Sequence, residues 1–343
     1  MHGEQWTDRR VVVTGGAGMI GSALVRLLLG LGCEVTVADN LTRGRAEYLP
    51  EAGEERLRFL RVDLNEPGAA EAVVEGSDTV FHLADIVAGI GFVFGNEFPI
   101  FSHNIALDRA VLDACVRLRV PNYIYAGSAC SYPAELQMRA DPPPLREEEA
   151  YPASPESGYG WSKLMGEYMA ELAQKEGLLR VGIARFHNVF GPRCDTDPRT
   201  AQVIPSLIRK VIENDSGRLE VWGSGRQRRA FLFVDDAAET LIRVRERTMD
   251  QGPVQMGLER STGIGELAET IVDISGRPIE IVFDTSRPEG DFDRRPDLAK
   301  AKRLLGFTPR VSLRDGLERT FRWVQSECEQ GAASGRAEKG AAA

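Results

Sequence analysis

The sequence VVVTGGAGMIG at residues 11–21 decides the fold. In it an apolar strand runs straight into Gly15, Gly18 and Gly21, and an apolar helix from Ser22 to Leu31 follows. Glycines at this spacing permit a tight turn, close approach of the backbone to a pyrophosphate and close packing of helix on strand. The N-terminus of the helix offers N–H groups to the phosphates. The stretch therefore predicts a dinucleotide site rather than a ligand-free turn.

The second strand predicts which dinucleotide binds. It runs from Glu34 to Ala38 and is followed by Asp39, whose carboxylate would accept hydrogen bonds from both ribose hydroxyls. A 2′-phosphate would meet this negative charge, so the residue favours NAD over NADP. Arg43 keeps NADP open, because a nearby arginine can accommodate that phosphate.

Strand and helix patterns alternate over the first 185 residues. Because short apolar strands that alternate with helices form parallel sheets, we expect an α/β fold with a doubly wound, Rossmann-type parallel sheet and a smaller C-terminal substrate-binding lobe. Further strands are predicted at 57–62, 79–83, 123–126 and 182–186, and helices at 104–118 and 159–176. Ligands should lie beyond the carboxyl ends of these strands.

The domain boundaries follow from where the alternation stops. We assign residues 1–185 to the NAD-binding domain and expect about 226–250 to return to it. Residues 186–225 and 251–325 would form the smaller lobe. The last residues, 331–343, are rich in Ala and Gly and are expected to be disordered.

Composition excludes several classes of function. The chain has 343 residues, of which 43% are hydrophobic and 27% charged, and its net charge of −9 argues against nucleic-acid or anionic-membrane partners. No apolar run approaches the ~20 residues of a membrane span and no secretory core is evident near the start, so we expect a cytoplasmic protein. The five cysteines and four histidines are scattered, which favours free thiols and no metal site.

The candidate catalytic motif is Tyr159-Gly-Trp-Ser-Lys163. Its tyrosine and lysine lie one helical turn apart, so the ammonium can stabilise a phenolate. Tyrosine ionises near ~10 and becomes a useful base only beside positive charge such as a lysine and an oxidised nicotinamide. By itself the pair is common on surface helices. After a nucleotide fingerprint and Ser128, it predicts removal of a hydroxyl proton as hydride leaves the same carbon.

These motifs together resemble a known family. The glycine spacing, His82-Leu83-Ala84, Ser128 and the Tyr159/Lys163 pair are similar to those of the extended short-chain dehydrogenase/reductases acting on nucleotide sugars. Over residues 10 to 325 the chain most resembles the GDP-mannose 3,5-epimerases, most specifically in residues 88–92, 128–133, 185–192 and 222–229. The resemblance implies an NAD-dependent epimerase of nucleotide-diphosphate sugars, and we expect a homodimer.

The resemblance also implies a mechanism. Tyr159 would take the proton of the sugar C4 hydroxyl while hydride passes to NAD, with Lys163 lowering the tyrosine pKa and Ser128 bonded to the reacting oxygen. The resulting ketone acidifies C3 and C5, where Cys130 would be one of two acid/base groups before the hydride returns to C4. The alternative for Cys130 is a small buried residue with an inert thiol.

The chain departs from the family at the second acid/base group. Where the family has a lysine, the nearest residues are Gln202 and Val203, and neither can shuttle a proton. Either Asp195, Asp197 or a water substitutes, or fewer centres are inverted, or different chemistry follows at the ketone.

The two residues after Ser128 argue against two related reactions. A 4,6-dehydratase would carry an Asp-Glu pair and a decarboxylase a glutamate, whereas Ala129 and Cys130 stand here. A 4-epimerase needs only Ser128, Tyr159 and Lys163, and it is the main alternative. A 4-keto-sugar reductase and a non-catalytic NAD-binding regulator fit less well.

Contacts are predicted from the motifs and the resemblance together. Arg229 and Arg294 are the candidates for the diphosphate, because guanidinium groups match phosphate oxygens, although either could form a surface salt bridge. The nucleotide base is left open. Predicted cofactor contacts are Gly15, Gly18, Met19, Ile20, Gly21, Asp39, Asn40, Asp63, Leu64, Leu83, Ala84, Tyr159, Lys163 and Phe186. Predicted substrate contacts are Gly91, Phe92, Ser128, Asn188, Gln202, Trp222, Gln227, Arg229 and Arg294.

Overall fold

The computed structural model of the protein describes residues 5–51, 55–138, 141–287, 292–306 and 308–341. Its strands are β1 (Arg10–Thr14), β2 (Glu34–Asp39), β3 (Leu57–Arg61), β4 (Thr79–His82), β5 (Asn122–Ser128), β6 (Arg180–Phe186), β7 (Asn188–Phe190), β8 (Arg218–Trp222), β9 (Arg228–Arg229), β10 (Phe231–Phe233), β11 (Pro253–Met256), β12 (Thr262–Gly263), β13 (Glu280–Asp284) and β14 (Asp293–Arg294). Its α-helices are α1 (Met19–Gly30), α2 (Ala69–Val74), α3 (Ile90–Gly95), α4 (Glu97–Arg117), α5 (Gly158–Lys175), α6 (Val203–Ile212), α7 (Val234–Arg247), α8 (Ile264–Ser275), α9 (Ala299–Leu305) and α10 (Leu313–Ala341).

A parallel sheet forms the centre of the molecule. Within the described residues it has seven strands in the order β3-β2-β1-β4-β5-β6-β11, and each neighbouring pair is parallel. The inner strands are apolar and buried, as expected when helices cover both faces. The strand order reverses between β1 and β4, which places a ligand crevice at the carboxyl ends of these two strands. The predicted Rossmann-type fold is confirmed.

Helix α4 begins earlier than the sequence pattern predicts. The pattern predicts 104–118, whereas the helix spans Glu97–Arg117. Pro99 lies in its first turn, where a helix tolerates proline because the missing N–H has no intrahelical acceptor there. Pro99, which would disrupt the interior of a helix, is thus compatible with the first turn of α4.

The chain returns to the main sheet after the first excursion into the smaller lobe. Helix α7 packs against α1, and β11 then pairs with β6 in parallel. The segment expected to return is 226–250, and the structure adds 253–256 to it. The addition follows from the geometry of a parallel pair, since the crossover helix must be followed by its strand.

The smaller lobe contains several short strands, and its helices include α6 and α8. Strands β8 and β13 pair in parallel, β9 lies between β12 and β14, and β7 pairs with β10. Apolar residues of α6 and α8 join the same large cluster as those of β1 and α1, so the lobe shares its core with the sheet. Helix α10 extends over most of the predicted disordered tail, while side chains after Gln330 and residues 342–343 lie outside the described part.

Candidate active site

The glycine-rich turn forms a cradle at the crevice. Gly15 has φ +67°, and a Cβ atom there would lie 2.8 Å from the backbone nitrogen of Ala84. A Cβ atom on Gly21 would overlap the carbonyl oxygen of Gly15, so helix and turn pack backbone on backbone. Gly18 is the N-cap of α1, and no side chain of the described residues caps its first turn, which contains Met19 and Ile20. The N–H groups of that turn are available to an anion.

Asp39 lies at the end of β2 beside this cradle. Its Oδ2 accepts a hydrogen bond from the Ala17 N–H at 3.0 Å, and its Oδ1 accepts one from the Leu41 N–H at 2.9 Å. Burial raises the pKa of Asp39, and these two backbone bonds oppose that shift. Arg43, which left NADP open, is paired through Nη2 with Asp195 Oδ2 at 3.1 Å. The site thus presents a fixed carboxylate and an engaged arginine, which fits the adenosine ribose of NAD.

The other predicted cofactor residues lie along the same edge of the sheet. Asn40 Nδ2 donates to Asp63 Oδ2 at 3.4 Å, which joins the ends of β2 and β3. Leu64 is buried among apolar residues below this edge. Phe186 ends β6 in register with Ser128 of β5 and is 6% exposed.

A buried polar chain supports the loop after β4. Thr14 Oγ1 accepts hydrogen bonds from the N–H groups of Leu83 and Ala84, both at 3.2 Å, and lies 2.7 Å from His82 Nδ1. The other ring nitrogen, Nε2, lies 2.9 Å from Asp108 Oδ1. This chain fixes Leu83 and Ala84 against β1.

Helix α5 brings the predicted catalytic pair, Tyr159 and Lys163, to the end of β5. Ser157 caps the helix by accepting a hydrogen bond from the Gly160 N–H at 3.2 Å. A Cβ atom on Gly160 would overlap the carbonyl oxygen of Cys130, so the helix lies directly on the turn after Ser128. The Tyr159 hydroxyl forms a hydrogen bond with Ser128 and is deeply buried. The structure thus brings Tyr159, the first residue of the predicted pair, next to Ser128.

Asp85, which none of the sequence motifs indicates, lies beside this pair. Lys163 Nζ lies 2.8 Å from Asp85 Oδ2, and the Tyr159 hydroxyl donates to the same oxygen at 3.4 Å. Lys163 Nζ also donates to the carbonyl oxygen of Ala126 at 3.0 Å. The only sequence feature that could have indicated Asp85 is its position. It follows β4 at the edge of the sheet where Asp39 ends β2.

The electrostatic balance differs from the expectation that Lys163 lowers the tyrosine pKa. Burial raises the pKa of Tyr159 well above its ordinary value; Asp85 and Cys130 raise it further, and the Ser128 hydrogen bond opposes them. Burial lowers the pKa of Lys163, but Asp85 and other nearby carboxylates outweigh it and the pKa is raised overall. Asp85 is thus both the nearest counter-charge of Lys163 and a cause of the raised pKa of Tyr159.

Cys130 lies beside the catalytic pair. It packs with Tyr159 and Phe92 in one apolar cluster, and Arg294 Nη1 donates to its sulfur at 3.5 Å. Arg294 in β14 is in register with Arg229 in the neighbouring strand β9. The structure therefore brings the two predicted arginines together, and one of them reaches the thiol.

The Trp222 side chain lies next to Gly91. A Cβ atom on Gly91 would lie 3.8 Å from Cζ3 of the indole, and Gln227 Nε2 donates to the Trp222 carbonyl oxygen at 3.3 Å. The cations of Lys210 and Arg287 lie 5.8 and 5.2 Å from the indole ring centre. Buried Gln227 Oε1 has no hydrogen-bond partner among the described residues, so a polar group of a ligand would satisfy it.

The remaining predicted substrate residues lie on the loops above the sheet. The Gly89 N–H donates to the Thr200 carbonyl oxygen at 2.9 Å, which brings the loop before α6 to the segment that carries Gly91. Gln202 is the N-cap residue of that helix, and its side chain makes no capping bond within the described chain. Asn188 begins β7, and its N–H donates to the Ala230 carbonyl oxygen at 3.1 Å.

The two carboxylates considered as substitutes for the missing lysine are engaged elsewhere. Asp195 Oδ2 accepts hydrogen bonds from Arg43 and, at 2.6 Å, from the Thr200 hydroxyl. Hydrogen bonds from Arg199 lower the pKa of Asp197 to about 2, which makes it a poor base at neutral pH.

Comparison with known proteins defines the family. Residues 11–257 match the NAD dependent epimerase/dehydratase family. The rice (Oryza sativa subsp. japonica) protein GDP-mannose 3,5-epimerase 1 is 30% identical over 321 residues, which cover 94% of this chain and 83% of that protein. A dTDP-4-dehydro-6-deoxy-D-allose reductase from Streptomyces is 32% identical over 334 residues, or 95% of this chain and 99% of that protein. The UDP-glucose 4-epimerase of Thermotoga maritima, solved with UDP-glucose, has a TM-score of 0.82 at 26% identity, covering 93% of this chain and 99% of that one.

The chain therefore belongs to the NAD dependent epimerase/dehydratase family and is an NAD-dependent enzyme. The superfamily includes nucleotide-sugar epimerases and reductases. The glycine cradle, the uncapped first turn of α1 and Asp39 fit the NAD that the family uses.

Three further observations concern metals, membranes and thiols. The part of the chain that the structure describes holds no group of three or more His, Cys, Asp or Glu side chains placed for a metal ion. In the same residues, no helix is both long and apolar enough to span a membrane. The cysteines, all within the described ranges, are free thiols.

Proposed function

We propose that this protein is a nucleotide-sugar epimerase that oxidises the sugar transiently at C4 and inverts a neighbouring carbon. The observation that carries the proposal is the convergence of Ser128, Tyr159 and Cys130 at one end of β5, with Arg294 Nη1 3.5 Å from the sulfur. The first two suit oxidation at C4, and the thiol suits proton transfer at the next carbon.

The chain's own residues would perform the proton half of the oxidation. Bound NAD supplies the hydride acceptor and donor. Ser128 would hold the C4 oxygen by a hydrogen bond while Tyr159 takes its proton, and Lys163 would hold the cofactor ribose. Because Tyr159 is buried, water does not compete for the proton.

Cys130 would then act on the ketone. A carbonyl at C4 acidifies the C–H bonds on either side of it, and a thiolate is the form of cysteine that accepts such a proton. The guanidinium of Arg294 donates a hydrogen bond to the sulfur. Similarity to the GDP-mannose 3,5-epimerase of rice supports this assignment.

One inverted centre fits the structure better than two. Gln202 precedes α6, where a second acid/base group is expected, and a carboxamide acts as neither an acid nor a base at neutral pH. Asp195 and Asp197 are held by arginines. We therefore propose inversion at either C3 or C5, with Cys130 on one face and solvent as the proton donor on the other.

The main alternative is a 4-epimerase. Gln202 favours it, because a 4-epimerase requires no second acid/base group. The similarity in fold to the UDP-glucose 4-epimerase of Thermotoga maritima favours it too. In a 4-epimerase, Cys130 would have a packing role and no part in the reaction.

The substrate would lie between the sheet and the smaller lobe. Arg229 and Arg294 stand in register on adjacent strands and would bind the diphosphate together. Trp222, 40% exposed between two cations, would line the pocket of the nucleotide or the sugar. The substrate class is therefore a nucleotide-diphosphate sugar.

A second copy of the chain would cover an exposed apolar stripe. Trp161, Tyr168 and Leu172 project from α5, and Phe98 of the adjacent helix α4 is 79% exposed. We propose a homodimer through these helices, in the cytoplasm. Sedimentation of wild type against Phe98→Glu tests it: a dimer should become a monomer, and an unchanged mass would exclude this surface.

The reaction itself is tested with a panel of GDP-, UDP-, CDP- and dTDP-sugars in D2O, followed by NMR. The proposal predicts product with deuterium at C3 or C5. Inversion at C4 without carbon-bound deuterium would establish the 4-epimerase instead.

A further inference from the structure

Asp85 lies between the two groups of the catalytic pair. It follows β4 in the loop beside the end of β5, and its side chain is 11% exposed. One carboxylate oxygen, Oδ2, is 2.8 Å from Lys163 Nζ and accepts the Tyr159 hydroxyl at 3.4 Å. The acid thus contacts the ammonium and the phenol with the same atom.

The other contacts of Lys163 do not involve the tyrosine. Its ammonium donates to the Ala126 carbonyl oxygen at 3.0 Å and lies 4.9 Å from the ring centre of Tyr125. Asp85 is therefore the partner that Lys163 shares with Tyr159. Because it is negative and buried, it balances the charge on which a phenolate would depend.

We propose that Asp85 is a positioning residue of the catalytic pair: its carboxylate holds the Lys163 ammonium and keeps the Tyr159 proton in place until positive charge from the oxidised cofactor enters the site. The inference rests on the proposed roles of Tyr159 and Lys163. Proton removal from Tyr159 then depends on the redox state of the cofactor, because the charge of the Lys163 ammonium is already balanced by Asp85.

Several groups besides Asp85 face the tyrosine, and each remains in a variant of that residue. They come from four packed elements. They are Ser128 at the end of β5 and Cys130 after it, Lys163 on the same helix, Arg294 on β14 next to Cys130, and two carboxylates that act through Lys163, Asp108 on α4 and Glu167 on α5. Removing the carboxylate of Asp85 therefore takes away the charge that, after burial, contributes most to the raised pKa of the phenol, and it leaves Lys163 in place.

The test is a near-ultraviolet titration of tyrosinate in the cofactor-free protein. Asp85→Asn keeps the size and a hydrogen-bond acceptor for Lys163 but removes the charge, and Asp85→Ala is the second variant. Subtracting the same titration in each Tyr159→Phe background isolates the signal of this tyrosine. We expect its midpoint to fall by about one pH unit or more in both variants, as for removal of a like charge at this distance.

Two controls distinguish a specific effect of the Asp85 carboxylate on Tyr159 from a general disturbance of the protein. Asp113→Asn removes an exposed carboxylate from α4, paired only with Arg109 in the described contacts, and should leave the midpoint unchanged. In the loaded enzyme, the rising limb of kcat/KM against pH should move to lower pH in Asp85→Asn, because the base ionises earlier.

The outcomes are distinct. A midpoint that is unchanged or higher in both Asp85 variants would overturn the inference, the latter by showing that Asp85 mainly keeps Lys163 charged. The titration needs no substrate, so it decides the role of Asp85 even if the proposed reaction fails.

Discussion

Arg294 Nη1 donates to the sulfur of Cys130 at 3.5 Å across 164 positions of sequence. The contact joins β14 of the smaller lobe to the turn after β5 of the main sheet. It places a cation beside the thiol.

Arg294→Met should slow alkylation of Cys130 by iodoacetamide at neutral pH, because the guanidinium that donates to its sulfur is removed. Peptide mass spectrometry follows Cys130 alone. Arg295→Met is the matched control, since the guanidinium of Arg295 pairs with Asp141 instead. Equal alkylation rates in wild type and Arg294→Met would show that the contact does not activate the sulfur.

Cys130→Ala should abolish deuterium incorporation at C3 or C5 and leave transient oxidation at C4, because Ser128 and Tyr159 are intact. Cys130→Ser should be nearly as impaired, since a hydroxyl is a poor base at neutral pH. NMR of products formed in D2O measures both, with Cys328→Ala as the control. Full activity of Cys130→Ala on the true substrate would remove the thiol from the mechanism and leave only the C4 chemistry.

Tyr159→Phe should fold, retain NAD and lose turnover by about 10²–10⁴-fold, because only the proton acceptor is removed. Tyr151→Phe, an exposed tyrosine outside the site, should behave as wild type. Steady-state rates and cofactor content of the purified proteins give the comparison. Turnover in Tyr159→Phe close to that of wild type would refute the assignment.

The wild-type enzyme should bind NAD at least about tenfold more tightly than NADP, because a 2′-phosphate would meet the fixed carboxylate of Asp39. Asp39→Asn should reduce this preference. Calorimetric titration of both cofactors measures it. Equal affinities in wild type would count against the ribose role of Asp39.

His187 should make the protein less stable in acid. Burial lowers its pKa to about 3, so between roughly pH 6.5 and pH 3 the unfolded chain binds a proton that the folded chain does not. Stability therefore falls as pH falls through this window. His187→Gln should show a shallower decline of the unfolding temperature over the same range, and identical declines would contradict the prediction.

Much of the fold follows from local sequence patterns. The glycine spacing at residues 15–21, the apolar strands and the intervening helices predict a Rossmann-type sheet because each is a local signal of backbone conformation. The start of α4 was misjudged because Pro99 has opposite meanings in the first turn and in the interior of a helix. The return of β11 to the sheet was not predicted, because strand pairing is a long-range contact.

The sequence by itself determined which chemical groups this protein has: a glycine-rich turn before a helix, an acid at the end of the second strand, a tyrosine with a lysine one turn away, and a thiol after a serine. Only the tertiary structure decided how their charges combine. Asp85 neutralises Lys163, Asp195 holds Arg43, and Arg294 reaches Cys130. Charge acts through distance in space, and the folding of distant segments onto one sheet edge sets those distances.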